Sequence, residues 1–404
     1  MSRVFLYDTT LRDGTQREDI SLSADNKIVI AKRLADFGVH YIEGGWPGSN
    51  PKDAEFFTRA AKMSWGGAKI TAFGSTRHKD ARCGQDANLA ALLAAQTPVV
   101  TLVGKSWDYH VTHVLNATLE ENLAMIRESV AYIKAQGREV VFDAEHFFDG
   151  FLANRDFSLA VLKTAAEAGA DWLTLCETNG GKLPWQVEEI VRAVAAQVPG
   201  KLGIHCHNDS GCAVANSLAA VRGGCRQVQG TINGYGERVG NADLITILPD
   251  LQLKMDFPVV SAEQLCDLTS LSRFVAEVVN LKHDDHAPYT GHSAFAHKGG
   301  IHVAAILKAS DTYQHIDPAL VGNKMRSVVS ELAGRGNILF LAQEMGIDLS
   351  REEAQHVLGQ IKHLEHEGFS FEAAEASMEL MLHRLRPGYR RPFELVDYFV
   401  ITER

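Results

Sequence analysis

Short apolar runs typical of β-strands recur at roughly even intervals through the first part of the chain. Between them lie longer segments in which apolar residues repeat with the period of an amphipathic helix. The pattern predicts eight strands, at Val4–Tyr7, Tyr41–Glu43, Ile70–Phe73, Val99–Val103, Val140–Asp143, Trp172–Leu175, Leu202–His205 and Gln227–Thr231. It predicts intervening helices that include Asp25–Phe37, Asp53–Met63, Leu119–Gln136, Leu159–Ala168 and Pro184–Val198. Strand and helix therefore alternate.

Local signals mark where some of these helices begin and end. Ser23 is a candidate N-cap, and Thr118 with Glu121 three residues later forms a candidate capping box. Gly38 and Gly169 follow predicted helices, where a glycine tolerates the left-handed backbone of a helix end. Strand–helix alternation repeated eight times, with apolar strands, predicts an α/β protein built on a TIM (β/α)8 barrel.

An open, doubly wound sheet is the alternative fold with the same alternation. Such a sheet normally has a glycine-rich turn after its first strand. The segment Asp8–Gly14, with the sequence DTTLRDG, lacks that pattern. The barrel is therefore the predicted fold.

After about residue 262 the rhythm of the sequence changes. Ser261–Asn280 has the period of a helix, His283–Ile316 is rich in histidine and glycine, and Ile338–Leu385 predicts two or three helices. Pro392–Ile401 has the pattern of an opening strand. We therefore divide the chain into a barrel (1–262), a small connecting subdomain (263–335), a helical subdomain (336–390) and the start of a further domain (391–404).

Composition narrows the class of protein. Hydrophobic residues make up 46% of the chain and charged residues 22%, which are ordinary values for a folded globular protein. The net charge of −10, spread along the chain, disfavours a nucleic-acid partner. No apolar run approaches the length of a membrane span, and the residues after Met1 lack the layout of a signal peptide. The six cysteines include no C-x-x-C pair, so we expect reduced thiols in a cytoplasmic protein.

Reactive side chains of a TIM barrel lie at the carboxyl ends of its strands and in the loops that follow. Polar residues of this sequence cluster at those positions. They occupy the segments Asp8–Gln16, Glu43–Gly45, Asp143–His146, Glu177–Asn179, His205–Asp209 and Asn233–Asn241. An active site is therefore predicted at this end of the barrel.

His205 and His207 form the strongest candidate metal site. Residues i and i+2 of a strand point to the same face, so both imidazoles can reach one ion. A carboxylate from a neighbouring strand end, such as Asp13, would add an oxygen ligand and leave positions open for substrate. Taken alone, a His-x-His pair is more often part of a hydrogen-bond network. Together with Asp13, Asn241 and the position in the barrel, the pair favours a divalent ion such as Mn, Mg or Zn.

Arg12 stands next to the candidate ligand Asp13. On a protein surface such an arginine would be an ion-pair partner, whereas beside a metal it would hold a positive charge where a negative oxygen develops. Glu145 and Thr178 follow the fifth and sixth strands and are candidate substrate contacts, or residues that hold a ligand in place. The glycine-rich loop Gly234–Asn241 follows the eighth strand, which favours a position facing substrate or metal over a simple turn.

Three segments, Asp8–Gln16, His205–Asp209 and Gly234–Asn241, in combination resemble the acyl-CoA-condensing TIM-barrel synthases among the DRE-TIM metallolyases. That family includes 2-isopropylmalate, homocitrate and citramalate synthases, and the likeness covers about residues 1 to 335. The resemblance implies a 2-oxo acid as substrate and acetyl-CoA as co-substrate. It implies metal ligation by Asp13, His205, His207 and Asn241, substrate binding by Arg12, Gln16, Glu43, Glu145 and Thr178, and catalysis by Arg12 and Glu145.

The segment Phe295–His302 resembles the linker that, in this family, supplies a histidine to the active site of the partner subunit. His302 matches that histidine, and Tyr313 matches an accompanying tyrosine. The resemblance therefore implies a homodimer with active sites completed across subunits, in which His302 and Tyr313 are further catalytic residues. Family members usually continue into a regulatory domain that binds an amino acid, and residues 391–404 match its start.

Two loops distinguish members of the family. Within Glu43–Asp53, the sequence Gly-Gly-Trp-Pro-Gly-Ser-Asn-Pro is similar to one group of bacterial citramalate synthases whose oxo acid is pyruvate. Isopropylmalate synthases tend to have Gly-Phe-Pro there, followed by serines. The related lyases that cleave hydroxymethylglutaryl-CoA carry a cysteine in the loop after the eighth strand, and Gly234–Asn241 has none, which disfavours cleavage.

The resemblance thus implies a metal-dependent condensation of acetyl-CoA with pyruvate that gives citramalate and CoA, within isoleucine-type branched-chain amino-acid biosynthesis. The first alternative is a larger 2-oxo acid, as in 2-isopropylmalate or homocitrate synthase. The second is a non-catalytic barrel that binds a metal and an oxo acid without converting them.

Overall fold

The structure, a computed structural model, describes residues 3–306, 308–329, 333–372, 374–386 and 388–402. Within these residues, eight parallel strands follow one another in chain order and close into a barrel. The strands are β1 (Phe5–Asp8), β2 (Tyr41–Gly45), β3 (Lys69–Ser75), β4 (Val99–Lys105), β5 (Glu139–Glu145), β6 (Trp172–Glu177), β7 (Lys201–Cys206) and β8 (Gln227–Gly230). The predicted TIM barrel is confirmed, and each predicted strand lies within one or two residues of its observed ends.

Helices connect and follow the barrel strands. They are α1 (Ala24–Phe37), α2 (Pro51–Ala60), α3 (Ala87–Ala94), α4 (Asp108–His113), α5 (Leu119–Ala135), α6 (Phe147–Ala153), α7 (Arg155–Glu167), α8 (Pro184–Ala195), α9 (Ala213–Gly223), α10 (Leu244–Pro249), α11 (Ala262–Leu265) and α12 (Leu268–Val278). The side chain of Ser23 caps α1 by accepting a hydrogen bond from the Asn26 amide, and Gly38 ends that helix with a φ of 101°. Thr118 caps α5 in the same way by accepting from the Glu121 amide, but the reciprocal half of the predicted capping box is not formed within the described residues, because the Glu121 carboxylate pairs with Arg77.

Several predicted helices differ from the structure in their bounds. α7 begins at Arg155, before the predicted start at Leu159, because the Asn154 side chain caps it, and α8 ends at Ala195, before the predicted end at Val198. α2 begins at Pro51, before the predicted start at Asp53, because Asn50 caps the helix and proline suits its first turn. The predicted helix Ser261–Asn280 is divided into α11 and α12, because the capping box at Ser261 starts a short helix that ends before Asp267.

Side chains along the barrel strands alternate between the interior and the layer of helices. At the amino end, the interior side chains form an apolar, mostly aromatic group that we term the amino-end cluster. Its members are Phe5, Tyr7, Tyr41, Val99, Val141 and Trp172. The stacked rings of Tyr7 and Tyr41 lie 5.8 Å apart, and Trp172 meets Phe5 edge to face. This end of the barrel is therefore filled.

Toward the carboxyl end, the interior becomes polar. Tyr7 marks the change, because its hydroxyl donates to Glu43 and lies 2.6 Å from the hydroxyl oxygen of Thr101. Asp143 and Gln229 are also buried, Gln229 in register with Tyr7 on β8 and Asp143 two residues beyond Val141 on β5, and the Gln229 amide donates to Asp143. The polar interior leads directly to the strand ends that the sequence predicts as the active site.

The chain divides into two compact units, Met1–Gly291 and His292–Arg404. The division lies further along the chain than the predicted barrel boundary at residue 262, because α12 packs against α1. The predicted domain boundaries at residues 262, 335 and 390 stay predictions.

The second unit has a small parallel pair of strands and a helical core. Its elements are β9 (Ala296–His297), α13 (Gly300–Ile306), β10 (Arg326–Ser327), α14 (Arg335–Glu344), α15 (Arg351–His366) and α16 (Glu375–Arg384). The helices predicted within Ile338–Leu385 are confirmed, and Ile338, Val357 and Leu382 lie in their shared core.

The predicted opening strand Pro392–Ile401 is not formed. The segment has no regular secondary structure and is exposed throughout. A strand requires a neighbour for its backbone hydrogen bonds, and none of the described residues supplies one here. Among the helices of the described residues, none combines the length and the apolar character that a membrane span requires.

Candidate active site

Three buried side chains meet at the carboxyl end of the barrel. Asp13 lies in the turn after β1, His205 lies near the end of β7, and His207 follows that strand. One ligand atom from each lies within 4.8 Å of the others. The Nε2 atoms of the two histidines are 3.4 Å apart, and Oδ2 of Asp13 is 3.6 Å from Nε2 of His205. The structure thus brings together three of the four predicted metal ligands.

The fourth predicted ligand, Asn241, contacts the same group. Its Nδ2 donates to Oδ1 of Asp13 at 2.9 Å and to the Tyr235 carbonyl at 3.1 Å. Its Oδ1 is buried and has no hydrogen-bond partner within the described residues, and the same holds for Nδ1 of His207. A carboxylate, two imidazoles and an amide oxygen left without a donor form a set that fits a divalent cation.

Burial and nearby charge keep the candidate ligands in the protonation states that metal binding would require. Burial lowers the pKa of His205 to about 3 and also lowers the pKa of His207, so both rings are neutral at pH 7. Burial raises the pKa of Asp13, but the charge of the neighbouring Arg12 is the largest opposing cause, and that pKa is lowered to about 2. The group therefore combines neutral imidazoles with a carboxylate.

A turn after β1 presents Arg12 and Asp13 to the barrel mouth. Asp8, the last residue of β1, accepts hydrogen bonds from the backbone amide and the hydroxyl of Thr10, at 3.0 and 2.7 Å. These bonds satisfy a buried carboxyl whose pKa burial raises to about 7. The sequence DTTLRDG therefore encodes a rigid turn whose last side chains face the site.

Arg12 is held from several sides. Its Nε donates to Oε1 of Glu43 at 2.6 Å, its Nη1 is 3.2 Å from Oδ2 of Asp13, and its guanidinium lies 3.9 Å from the ring centre of Phe73. Burial opposes the charge of Arg12, but Glu43 and Asp13 outweigh it and raise the pKa of Arg12 above its ordinary value. Glu43, a predicted substrate contact, lies fully buried, with its two oxygens accepting from Arg12 and Tyr7.

The glycine-rich loop after β8 makes room for Asn241. A Cβ at Gly236 would lie 2.1 Å from Nδ2 of Asn241, and a Cβ at Gly240 would lie 2.0 Å from the carbonyl oxygen of Gly234. Gly240 also has a φ of 108°, which side chains other than glycine rarely adopt. The glycines are thus needed for the loop to fold back onto Asp13.

A cavity of about 420 Å³ opens beside these groups. The predicted site residues along its wall are Arg12, Asp13, Gln16, Glu145, Thr178, His205 and His207. Trp46, Phe73 and Lys105 form further parts of the wall. The cavity therefore gathers residues from the ends of most barrel strands.

Two of the predicted substrate contacts have defined partners. Glu145 forms an ion pair with Lys105 from the end of β4. Oγ1 of Thr178 accepts a hydrogen bond from the backbone amide of His146 at 2.9 Å, which leaves the hydroxyl hydrogen of Thr178 able to donate. Both side chains can therefore present polar atoms to a bound acid.

His302 and Tyr313, the two other predicted catalytic residues, lie in the second unit. Their rings stack at 4.2 Å, and both side chains are exposed within the described structure. His297 lies 6.3 Å from His302, edge to face. Their part in a site with the barrel residues stays a prediction.

Sequence reasoning missed three residues of the site. Lys105 is the last residue of β4, so the rule that placed the other candidates at strand ends would have found it. Arg238 lies within a motif the sequence singles out, and its Nε and Nη2 donate to the carboxylate of Asp209 at 2.7 and 2.9 Å. Gln229 lies inside the four-residue strand β8, where no sequence signal marks it.

Comparison with protein families assigns this chain to a known family. Residues 3–275 match the family model described as HMGL-like, and residues 289–368 match one described as homocitrate synthase post-HMGL domain-like. The first match spans more than half of the chain. The chain therefore belongs to the HMGL-like family.

Individual relatives narrow the comparison. The (R)-citramalate synthase of Aquifex aeolicus is 53% identical over 401 residues, which cover 98% of this chain and 75% of the relative. That of Synechocystis sp. is 53% identical over 408 residues, covering 98% and 74%. A probable 2-isopropylmalate synthase of Methanopyrus kandleri is 35% identical, covering 91% of this chain and 70% of the relative.

Solved structures agree with the fold. The HMG-CoA lyase of Bacillus subtilis gives a TM-score of 0.58 at 20% sequence identity, and the superposition covers 70% of this chain and 96% of the lyase. At this identity the likeness supports the barrel fold alone.

Proposed function

We propose that this protein condenses acetyl-CoA with pyruvate to give (R)-citramalate and CoA. The observation that carries the proposal is the buried group of Asp13, His205 and His207, which lines a 420 Å³ cavity beside Arg12. The substrate pair is supported by the relatives, because those named (R)-citramalate synthases are much more similar to this chain than those named 2-isopropylmalate synthases.

In this proposal, Asp13, His205, His207 and Asn241 hold one divalent ion, Mn, Mg or Zn. The buried unpartnered oxygen of Asn241 and the close approach of the two Nε2 atoms support this set. When bound, such an ion supplies Lewis-acid polarisation of the keto group of the oxo acid.

Arg12 stabilises the negative charge that develops on the keto oxygen of pyruvate. Its contacts with Glu43, Asp13 and Phe73 fix the guanidinium before substrate arrives, so little reorganisation is needed when charge develops. Gln16 and Thr178, on the same cavity wall, bind the carboxylate and keto oxygens of pyruvate.

The reaction removes a proton from the acetyl methyl group and forms a bond from that carbon to C2 of pyruvate. The former keto oxygen takes up a proton, and water then cleaves the thioester to release CoA. We assign the first proton transfer to His302, with Tyr313 beside it, and place Glu145, paired with Lys105, among the groups that exchange protons in the cavity.

A panel of 2-oxo acids tests the reaction. The purified protein, stripped of metal and then reloaded with Mn²⁺, Mg²⁺ or Zn²⁺, is incubated with acetyl-CoA and each acid, and free thiol is measured. We expect the highest kcat/KM with pyruvate and no turnover without metal. A higher value with 2-oxoisovalerate or 2-oxoglutarate would identify one of the larger-substrate synthases, and saturable binding without CoA release would identify a non-catalytic barrel.

We further propose a homodimer in which His302 completes the site of the partner subunit. Two inactive variants, Asp13→Asn and His302→Ala, are co-expressed with different affinity tags and purified as the mixed dimer. One of its two sites then has both residues intact, so activity should return. The matched control is the mixed dimer of Asp13→Asn and Arg12→Ala, whose lesions lie on the same unit of the chain and leave no intact site. Equal inactivity of both mixed dimers would refute sharing across subunits.

A further inference from the structure

A chain of three buried side chains crosses the barrel interior behind the candidate metal ligands. Nδ1 of His205 lies 3.1 Å from Oε1 of Gln229. Nε2 of Gln229 donates in turn to Oδ1 of Asp143 at 2.9 Å and to Oγ1 of Thr174 at 3.2 Å. These three side chains and His205 are all buried, so the hydrogen bonds between them lie in an environment of low polarity that strengthens them.

The orientation of the Gln229 amide decides which nitrogen of His205 carries the proton. In the orientation described, the amide oxygen of Gln229 accepts from Nδ1–H, and Nε2 of His205 keeps a lone pair facing Asp13 and His207. In the opposite orientation, the amide nitrogen would donate to Nδ1, and the proton would occupy Nε2, where a metal must bind.

Asp143 selects between the two orientations. Its Oδ1 faces the Gln229 amide and accepts a hydrogen bond in the ionised form, and also in the neutral form with the proton on Oδ2. An amide oxygen turned toward a carboxylate oxygen would be repelled. The buried acid therefore holds the amide nitrogen on its own side and the amide oxygen on the side of His205.

We infer that Gln229, oriented by Asp143, is a positioning residue that fixes His205 as the Nδ1–H tautomer and so prepares its Nε2 for metal. Partners that orient a ligating histidine typically change metal affinity about 10–100-fold when removed. The inference rests on the proposed metal site, and it assigns a purpose to buried polar side chains that have no role in the proposed reaction.

Metal affinity is the first test. Binding of Mn²⁺ to the metal-free protein is measured by calorimetry, without substrate, for Gln229→Leu and for Gln227→Leu. Gln227 is the matched control, because it lies two residues earlier in β8, is equally buried, and has no hydrogen-bond partner for its side chain within the described residues. We expect Gln229→Leu to weaken binding about 10–100-fold and Gln227→Leu to leave it within about twofold. Equal affinities for the two variants would overturn the inference.

The tautomer is the second test and does not require metal. Long-range proton–nitrogen NMR spectra of the metal-free protein with ¹⁵N-labelled histidine report which ring nitrogen carries hydrogen, and the His205→Asn variant identifies the His205 signals. We expect His205 to be the Nδ1–H form in the native protein and in Gln227→Leu, and to shift toward the other tautomer in Gln229→Leu. An unchanged tautomer in Gln229→Leu would refute the assignment.

A double variant separates positioning from packing. In Asp143→Asn/Gln229→Glu the introduced amide donates to the introduced carboxylate, which still accepts from Nδ1–H of His205. We expect this variant to recover most of the Mn²⁺ affinity that Gln229→Leu loses, and failure to recover any would contradict the inference. If the native protein binds no Mn²⁺ at all, the proposed metal site fails, whereas the NMR result still decides the part that Gln229 takes.

Discussion

The two ends of the barrel interior are filled in different ways. At the amino end, aromatic rings pack against one another, and Nε1 of Trp172 donates to the Tyr41 hydroxyl at 3.3 Å while that hydroxyl donates to Glu139 at 2.7 Å. At the carboxyl end, Nδ1 of His207 and Oδ1 of Asn241 are buried with no such partner in the part of the chain that the structure describes. An unpaired buried polar atom costs about 1–3 kcal/mol, so the carboxyl end gives up stability that a ligand can restore.

The comparison predicts that similar substitutions at the two ends affect different properties of the protein, namely stability at the amino end and activity at the carboxyl end. A lesion at the amino end should lower the free energy of unfolding and leave the chemistry of the folded molecules intact. A lesion at the carboxyl end should change activity or specificity with little change in unfolding. Both ends offer a tryptophan for the comparison, Trp172 at the amino end and Trp46 at the carboxyl end.

The largest effect is expected for Trp172→Ala. Trp172 is almost fully buried in the amino-end cluster, and replacing such a ring by a methyl group costs about 3–5 kcal/mol. The free energy of unfolding, measured by urea titration, should fall by that amount, and kcat per folded molecule should stay close to the native value. Trp172→Phe keeps an aromatic ring and should lose less. A loss of kcat with unchanged unfolding would reverse the distinction between the ends.

Arg12→Ala, at the carboxyl end, should have the next largest effect, and it should act on activity. Loss of a preorganised charge at the reacting oxygen costs about 10²–10³ in kcat. Steady-state rates with pyruvate and acetyl-CoA measure the loss, and thermal unfolding monitors the fold. Arg82→Ala is the control, since Arg82 has no part in the cavity wall. Turnover of Arg12→Ala within a few-fold of the native rate would remove Arg12 from the mechanism.

Trp46→Ala should change substrate choice. Trp46 lines both the 420 Å³ cavity and a neighbouring cavity of about 330 Å³, and its Nε1 is fixed by Oδ1 of Asn88 at 2.8 Å. Removing the indole joins the two spaces, so the ratio of kcat/KM for 2-oxobutanoate over pyruvate should rise about tenfold, within the range that one methylene is worth. Trp185→Ala, which alters an exposed tryptophan, should leave the ratio unchanged. A constant ratio in Trp46→Ala would show that another wall limits the acid.

The last prediction is a pH dependence of the free energy of unfolding that arises from His40 at the amino end. Its Nδ1 accepts from the Leu6 amide at 3.0 Å, and burial, with the charge of Arg3 second, lowers the pKa of His40 to about 4. Below pH 6.5 the unfolded chain binds a proton that the folded chain accepts only near pH 4. The free energy of unfolding should therefore fall as pH drops from about 6.5 to about 4. His40→Asn keeps an acceptor without the titration and should lose this slope, and an identical slope in both proteins would contradict the assignment.

Much of the fold and part of the site could be predicted from local physics. Eight apolar runs define the barrel, and a barrel puts the ends of its parallel strands at one mouth. That reasoning brought Asp13, His205 and His207 together although they are almost two hundred residues apart, a separation the structure reduces to a few ångströms.

The missed features depend on contacts that no local pattern encodes. Gln229 contacts His205 because the two residues are paired in register on neighbouring strands. The register of a four-residue strand cannot be predicted from its sequence. Pro392–Ile401 has a strand-like sequence, but a strand forms only when a neighbour completes its hydrogen bonds. The catalytic roles of His302 and Tyr313 rest on the family resemblance alone and stay predictions.

The closed sheet also fixes when the site can come into being. β1 pairs with β8 along four residues, and the candidate ligands lie on both sides of this seam, with Asp13 after β1 and Asn241 after β8. During synthesis, Asp13 and Asn241 can come together only after β8 has been made and has paired with β1. An ion at 100 times its Kd would then hold the seam closed by about 2.7 kcal/mol. Metal binding at the proposed site would therefore follow closure of the barrel, and its onset during refolding should report that β8 has paired with β1.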